Sequence, residues 1–306
     1  MLRIGQRVIQ VGIICVGISF VSFLLLHLTG DPVTVMLPLD APEEEIALFR
    51  HKMGFDRPIV VQFLAYLKNA VRGDFGNSLF LERPAVSLVL ERFPASLILI
   101  STGLSIALII AIPLGIISAF KSHSFIDNFS TSFAVMGQAM PLFWFAIMMM
   151  IIFCIQLRWL PVSGYGTWKH LILPSFCMGI WQSPPTMRLI RSGMLDILSQ
   201  DYIRTARAKG LSEGKVVVKH AFKNALIPVV NLVGLQFGFL VGGAVVTETV
   251  FSWPGVASLL LNAIRTYDFP VVQAALFLLA LLIITVNLIV DVIVALIDPR
   301  IRDRQG

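Results

Sequence analysis

The chain has 306 residues, of which 57% are apolar and 14% charged, whereas a globular domain carries about 45–50% and about 25%. So few charges cannot cover that much apolar surface in water, which excludes a soluble enzyme, a disordered chain and a nucleic-acid module and points to a membrane protein. The net charge of +6 and pI near 9.5 do not restore a nucleic-acid reading, because the basic residues sit between apolar stretches. Cys15, Cys154 and Cys177 each lie in an apolar stretch, with no disulfide framework and no metal spacing.

A helix crosses a roughly 30 Å hydrocarbon core with about 20 apolar residues. The first such stretch, 8–28, follows Arg3 and Arg7 and runs into HLTGDP. It lacks a small-residue cleavage site, so it reads as an uncleaved anchor and not as a signal peptide. The segment 29–94 predicts a small helical lobe outside the membrane. Asp40 is placed to cap a helix that opens with Pro42, Glu43, Glu44 and Glu45, acids that suit the positive helix start. Ile46, Phe49 and Met53 line one face, and Gly54 ends it. A second helix over 58–72 carries the apolar stripe Val60, Phe63, Leu64, Leu67 and Val71, and GDFGNS at 73–78 predicts a turn. The lobe is either a lid packed on the spans or a docking surface for a partner.

Uncharged stretches at 95–120 and 129–157 predict two further spans. The shorter 171–187 holds Pro174, Pro184 and Pro185 and reads as a span whose backbone is satisfied by neighbouring helices. The segment 188–223 is long, polar and helical in period. Ile203, Ala206 and Gly210 fall at i, i+3 and i+7, and Leu211, Val216, Val217, Val218, Ala221 and Phe222 follow. Arg204, Arg207, Lys209, Lys215, Lys219 and Lys223 fill the rest. Two short amphipathic helices hinged at Gly210 fit this pattern, either lying on lipid or docking on a cytoplasmic protein. The stretch 224–247 is a span in which Gly234, Gly238 and Gly242 are spaced GxxxGxxxG with Gly243 adjacent. This bares backbone for close helix contact, with a second chain or within this one. An apolar run at 256–264 reads as a re-entrant or interfacial helix, and 271–297 as a last span with one acid, Asp291, near its inner end. The amides Gln138, Gln182, Asn231, Gln236 and Asn287 either line a solute path or hydrogen-bond between helices, the latter worth about 0.6 kcal/mol each.

Six spans put both termini on one side. With the N-terminus inside, 1–7, 121–128, 188–223 and 298–306 hold 14 basic residues in 60 positions, and the short outer segments 157–169 and 248–270 hold 3 in 36. That bias places both termini in the cytoplasm. The lobe 29–94, with 7 basic and 9 acidic residues, is long enough to be exempt from the rule.

Other chemistries find no support. GLSEGKV at 210–216 is one residue short of a P-loop and has Val216 where Ser or Thr is needed. There is no HExxH, and His27, His51, His123, His170 and His220 are scattered. A secondary transporter, the alternative class, generally uses intramembrane ionisable groups; the chain places one acid in a span, Asp291, near the headgroups where it suits an interfacial or packing role, and shows no inverted repeat. It reads as a passive pathway that something else drives.

The loop DYIRTARAKGL (201–211) followed by KHAFKNALIPVV (219–230) resembles the cytoplasmic EAA loop of ABC-importer permeases, nearest to the dipeptide/oligopeptide/nickel group. The resemblance runs in order along nearly the whole chain, through TGDP (29–32), GFDRPIVVQF (54–63), GDFGNS (73–78), PLFWFA (141–146), RWLPVSGYG (158–166), ILPS (172–175), ETVFSWPG (248–255), DFPVVQ (268–273) and DPRIR (298–302). Arg204, Thr205 and Ala206 stand where the loop's Glu-Ala-Ala is named, so an ion pair through that Glu is not carried over.

The resemblance implies an all-α membrane protein of the type I importer-permease fold, with about six transmembrane helices and a small helical extracytoplasmic lobe. It divides into 1–28 as N-terminus and first span, 29–94 as lobe, 95–297 as permease core containing the coupling loop 188–223, and 298–306 as a cytoplasmic tail. It also implies a bacterial inner membrane, a second homologous permease subunit, two cytoplasmic ATPase subunits that bind ATP and Mg, and an extracytoplasmic solute-binding protein; no cofactor is expected in this chain. Asp201, Tyr202, Arg204, Thr205, Ala206, Arg207, Ala208, Lys209, Gly210 and Leu211 would meet an ATPase, the small Ala206 and Gly210 letting helices approach. Gln138, Asn231, Gly234, Gln236, Gly238 and Gly242 are candidate pathway or packing residues, and Trp253, Pro254 and Gly255 candidate contacts for the binding protein. The solutes implied are di- and oligopeptides first, then glutathione-like peptides, then nickel chelates.

Overall fold

In the computed structural model, residues 2–29, 37, 41–53 and 56–297 are described. The expected Asp40 cap, Gly54 stop, residues 30–32 of TGDP, the 298–302 motif and the tail 298–306 lie outside them. Among the described residues the structure is helical, with one isolated antiparallel bridge, Asn77 to Pro84. Two compact units divide the chain: Met1–Ser96 with Pro254–Ile284, and Leu97–Trp253 with Thr285–Gly306.

The first unit contains α1 (Leu2–Thr29), α2 (Glu43–Met53), α3 (Ile59–Ala70), the start of α4 (Ala85–Phe120), α10 (Val256–Arg265) and much of α11 (Phe269–Ile297). α2 begins on the three predicted glutamates. α3 follows Pro58, whose fixed φ suits a helix start. Phe63 of α3 meets Phe20 and Phe23 of α1 at 5.3 and 5.5 Å, and Tyr66 meets Phe75, which meets Phe277 at 5.3 Å. Ala85, Val89, Val256, Val271, Ala274 and Ala275 complete a buried core. Two motifs distant in sequence close on each other here. Ser78 of GDFGNS donates to Asp268 Oδ2 at 2.5 Å, and the Leu79 N–H donates to Oδ1 at 3.2 Å.

The second unit holds the rest of α4, then α5 (Phe125–Ala139), α6 (Leu142–Met150, prolonged as a π-helix over Ile151–Gln156), α7 (Trp168–Leu198), α8 (Asp201–Ala208) and α9 (Lys223–Val250). α7 packs against α5, α6 and α9, and much of its length is buried. It is longer than the expected 171–187 and keeps its three prolines inside a helix. Pro184 has no N–H for the Ile180 carbonyl; the Ser183 hydroxyl donates to that carbonyl at 3.0 Å instead.

Among the described residues, three helices are long and apolar enough to cross a membrane: α4, the Pro228–Val250 part of α9, and α11. α1 contributes a shorter apolar stretch, Ile9–Leu24. The stretch expected to span over 129–157 is built of two helices, α5 and α6, bent by 100°. Met140 precedes Pro141 and sits at φ −87°, ψ 126°, because a pre-proline residue is pushed out of the helical region by the proline ring.

Candidate functional site

Residues 199–222 build the candidate coupling loop. α7 ends at Leu198 with Ser199 as its C-cap, Gln200 takes an extended conformation, and α8 begins one residue later. α8 is amphipathic. Ile203 and Ala206 are buried and join Ala119, Ile190, Met194, Val216, Val217, Ala221, Ala225 and Val229 in one core. Asp201, Tyr202, Arg204, Thr205, Arg207, Ala208, Lys209, Gly210 and Leu211 are exposed. Of the two small residues expected to let a partner approach, Ala206 therefore spends its small size inside this chain, and Gly210 alone faces out.

Gly210 has φ +77°, a left-handed conformation that closes a helix and costs any residue with a Cβ. A Cβ there would meet nothing within 4 Å, so the demand is conformational and not steric. The Arg207 guanidinium brackets this turn, donating from Nε and Nη2 to the two carboxylate oxygens of Glu213 at 2.8 and 3.3 Å. The second short helix expected after Gly210 does not stand alone. Glu213–Lys215 runs through π-helical Val216–Phe222 into α9.

A second cluster, which the sequence reading missed, lies at the same end of this unit's core. Asp127, the third residue of α5, is 3% exposed. Its carboxylate accepts from Arg191 Nε at 2.7 Å and Nη2 at 2.8 Å, from the Ser118 hydroxyl at 2.5 Å and from the His123 N–H at 2.9 Å. His123 adopts φ +62° to present that N–H. The Arg191 hydrogen bonds foremost, then those of Ser118 and His123, hold the Asp127 carboxyl far below the ordinary carboxylate range against the opposing effect of burial. Sixty-four residues separate the pair, and neither falls in a motif of fixed spacing.

The candidate pathway residues divide. Gln138 and Asn231 are exposed. Gln236 is buried and donates to the Gln182 carbonyl at 3.1 Å and to Thr186 Oγ1 at 2.6 Å, beside the proline pair of α7. Gly234 packs within the chain, since a Cβ there would lie 2.8 Å from Asn287 Oδ1 and 3.3 Å from Val290. Gly238 is half-buried, while Gly242 is exposed with open space beside it. Asp291 is exposed on α11. The tighter glycine seam lies elsewhere, between α4 and α7. A Cβ on Gly179 would sit 2.5 Å from Ile106 and 2.9 Å from the Gly103 carbonyl, and one on Gly115 2.8 Å from Ile190.

Of the residues proposed to face a binding protein, Trp253 is 3% exposed and sets its ring edge to face with Tyr165 at 4.8 Å. Pro254 is half-buried and Gly255 buried. Among the described residues no group of three His, Cys, Asp or Glu side chains is arranged to hold a metal.

Residues 111–303 match the family described as binding-protein-dependent transport system inner membrane component, and residues 1–100 match the N-terminal family of such membrane components. The chain is 42% identical over 286 residues to the glutathione transport system permease protein GsiC of Escherichia coli strain K12, covering 93% of this chain and 94% of that protein. The same figures hold for GsiC of Shigella dysenteriae serotype 1 strain Sd197. Among solved structures, two crystal forms of the MetNI methionine ABC transporter in inward-facing conformations align with TM-scores of 0.60 and 0.58. Sequence identities are 16% and 18%, and each match covers 69% of this chain and 96% of theirs, a likeness of fold.

Proposed function

The chain belongs to the family of inner membrane components of binding-protein-dependent transport systems, and on that premise we propose that it forms half of a translocation pathway for short peptides of the glutathione class. It is a multi-pass permease subunit of an ABC importer, and such permease subunits are not themselves catalytic. The 42% identity to a glutathione transport permease across 93% of the chain carries the proposal on solute.

Partners of such a permease include ATPase and solute-binding subunits. In the arrangement we propose, a second homologous permease completes the pathway, two ATPases bind ATP and Mg2+ below, and a binding protein delivers solute from outside. Both termini are cytoplasmic, in keeping with the basic bias of the inner segments. The exposed face of α8 and the Gly210 turn seat on an ATPase. ATP-driven movement there shifts the chain between outward-open and inward-open states, a change in populations biased by nucleotide and by loaded binding protein. Gln138 and Asn231 support the pathway reading. Each is an exposed amide on an apolar helix, and an amide facing lipid without a partner is costly. In the proposed arrangement they face solute or the second permease.

Uptake of labelled glutathione, a dipeptide and a nickel chelate by cells deleted for this chain, with and without its restored gene, tests the solute. Restored glutathione uptake that a dipeptide does not compete away is the expected result. Restored uptake of the dipeptide or chelate alone overturns the solute assignment. Uptake in proteoliposomes holding this chain alone, without ATP, overturns the importer mechanism in favour of a secondary transporter.

A further inference from the structure

The Asp127–Arg191 pair has the geometry of a mechanical joint rather than a surface ion pair. Asp127 is 3% exposed, and its two oxygens receive four donors from three places: Arg191 on α7, Ser118 on α4, and the backbone of His123 in the turn between α4 and α5. Both Arg191 donors are used in a planar fork, which fixes orientation as well as distance.

Its two ends lead to different parts of the same unit. On the α7 side, Ile190 and Met194 flank Arg191, are fully buried, and form the core on which Ile203 and Ala206 of α8 pack. Only Ser199 and Gln200 separate α7 from α8. The buried face of α8 is thus seated on the turn of α7 that holds Arg191. On the other side, Asp127 belongs to the first turn of α5, and α5 ends at the 100° bend between Ala139 and Leu142. The start of that bent pair is held to α7 by this carboxylate.

We propose that Asp127 and Arg191 are positioning residues for transport: they carry a displacement of α8 through α7 into the α5–α6 bent pair, so that α5 follows the ATPases. The proposal rests on α8 docking an ATPase. Without the pair, α8 still seats on its apolar core and still binds an ATPase, but α5 no longer follows.

The test uses the complete importer in proteoliposomes, with solute moved per ATP hydrolysed as the readout. The double variant Asp127→Leu with Arg191→Leu removes both charges and fills their space with apolar groups, a replacement that buried ion pairs commonly tolerate in stability. It is expected to co-purify with the ATPases and hydrolyse ATP while solute per ATP falls at least tenfold. Arg191→Lys keeps the charge but replaces the fork by a point contact, and is expected to fall between the two. A double variant that moves as much solute per ATP as the unaltered importer overturns the joint. If the double variant fails to assemble, Arg191→Lys decides: an unchanged ratio overturns the joint, and a lowered ratio at unchanged ATPase binding supports it. If the unaltered chain does not retain ATPases, or retains them after the exposed face of α8 is replaced by alanine and serine, the docking reading fails, and that outcome is separable from a changed ratio.

Discussion

Gly179 leaves no room for a side chain, because a Cβ would stand 2.5 Å from Ile106 and 2.9 Å from a backbone oxygen, neither of which retreats cheaply. Overpacking of this kind costs about 1–3 kcal/mol, and more where backbone must shift. Gly179→Val is therefore expected to lower the thermal midpoint of the purified complex and the yield of folded chain. Gly242 makes the contrast, since it is exposed with open space beside it. Gly242→Leu should leave the chain's own stability within about 0.5 kcal/mol yet reduce recovery of the second permease on co-purification. Unchanged recovery would place Gly242 against lipid. The sequence marked the strip containing Gly242 by its regular spacing and passed over Gly103, Gly115 and Gly179. Regular spacing is visible in one helix, but whether a glycine is needed depends on what stands opposite, here Ile106, Ile190 and Met178.

At the scale of elements, α8 and its glycine turn form the part most exposed to a single change. Gly210→Asp must hold φ near +77° with a side chain, which costs on the order of 1 kcal/mol. It also places a negative charge between Lys209 and Leu211 on the outward face. Membrane insertion is expected to be unchanged and ATP-driven uptake lost, as read by membrane fractionation beside a transport assay; normal uptake would remove Gly210 from the coupling surface. Much of this element was legible in advance. The spacing of Ile203 and Ala206 marked the buried face of α8, whereas Gly210, grouped with them by period, lies past the helix end and is exposed; the three glutamates marked the start of α2. The bend at Met140 was hidden inside an uncharged stretch, since mean hydropathy over 129–157 does not register a pre-proline residue. The Asp127–Arg191 pair was hidden for another reason. Its partners lie on different helices, and only the packing of α5 on α7 brings them together.

For the molecule as a whole, pH dependence follows from that pair. The folded Asp127 carboxyl titrates far below its unfolded value of about 4. Its stabilisation is therefore fully present above about pH 4 and is lost progressively as pH falls below that. The difference in thermal stability between the parent complex and Asp127→Asn is expected to be constant from pH 8 to 5 and to shrink below about pH 4. A difference that closes between pH 7 and 5 would mean the carboxylate is not held as described.

The seating of α8 also has a consequence for the order of events during synthesis. Eight residues form no stable helix in water by themselves, and the apolar groups beneath Ile203 and Ala206 include Ala221, Ala225 and Val229, which leave the ribosome later. The outward face of α8, proposed above to meet an ATPase, therefore does not exist on the nascent chain when residue 208 emerges. It is completed only once the start of α9 has been made and threaded, so an ATPase that docks there as proposed joins only after the span that follows is inserted.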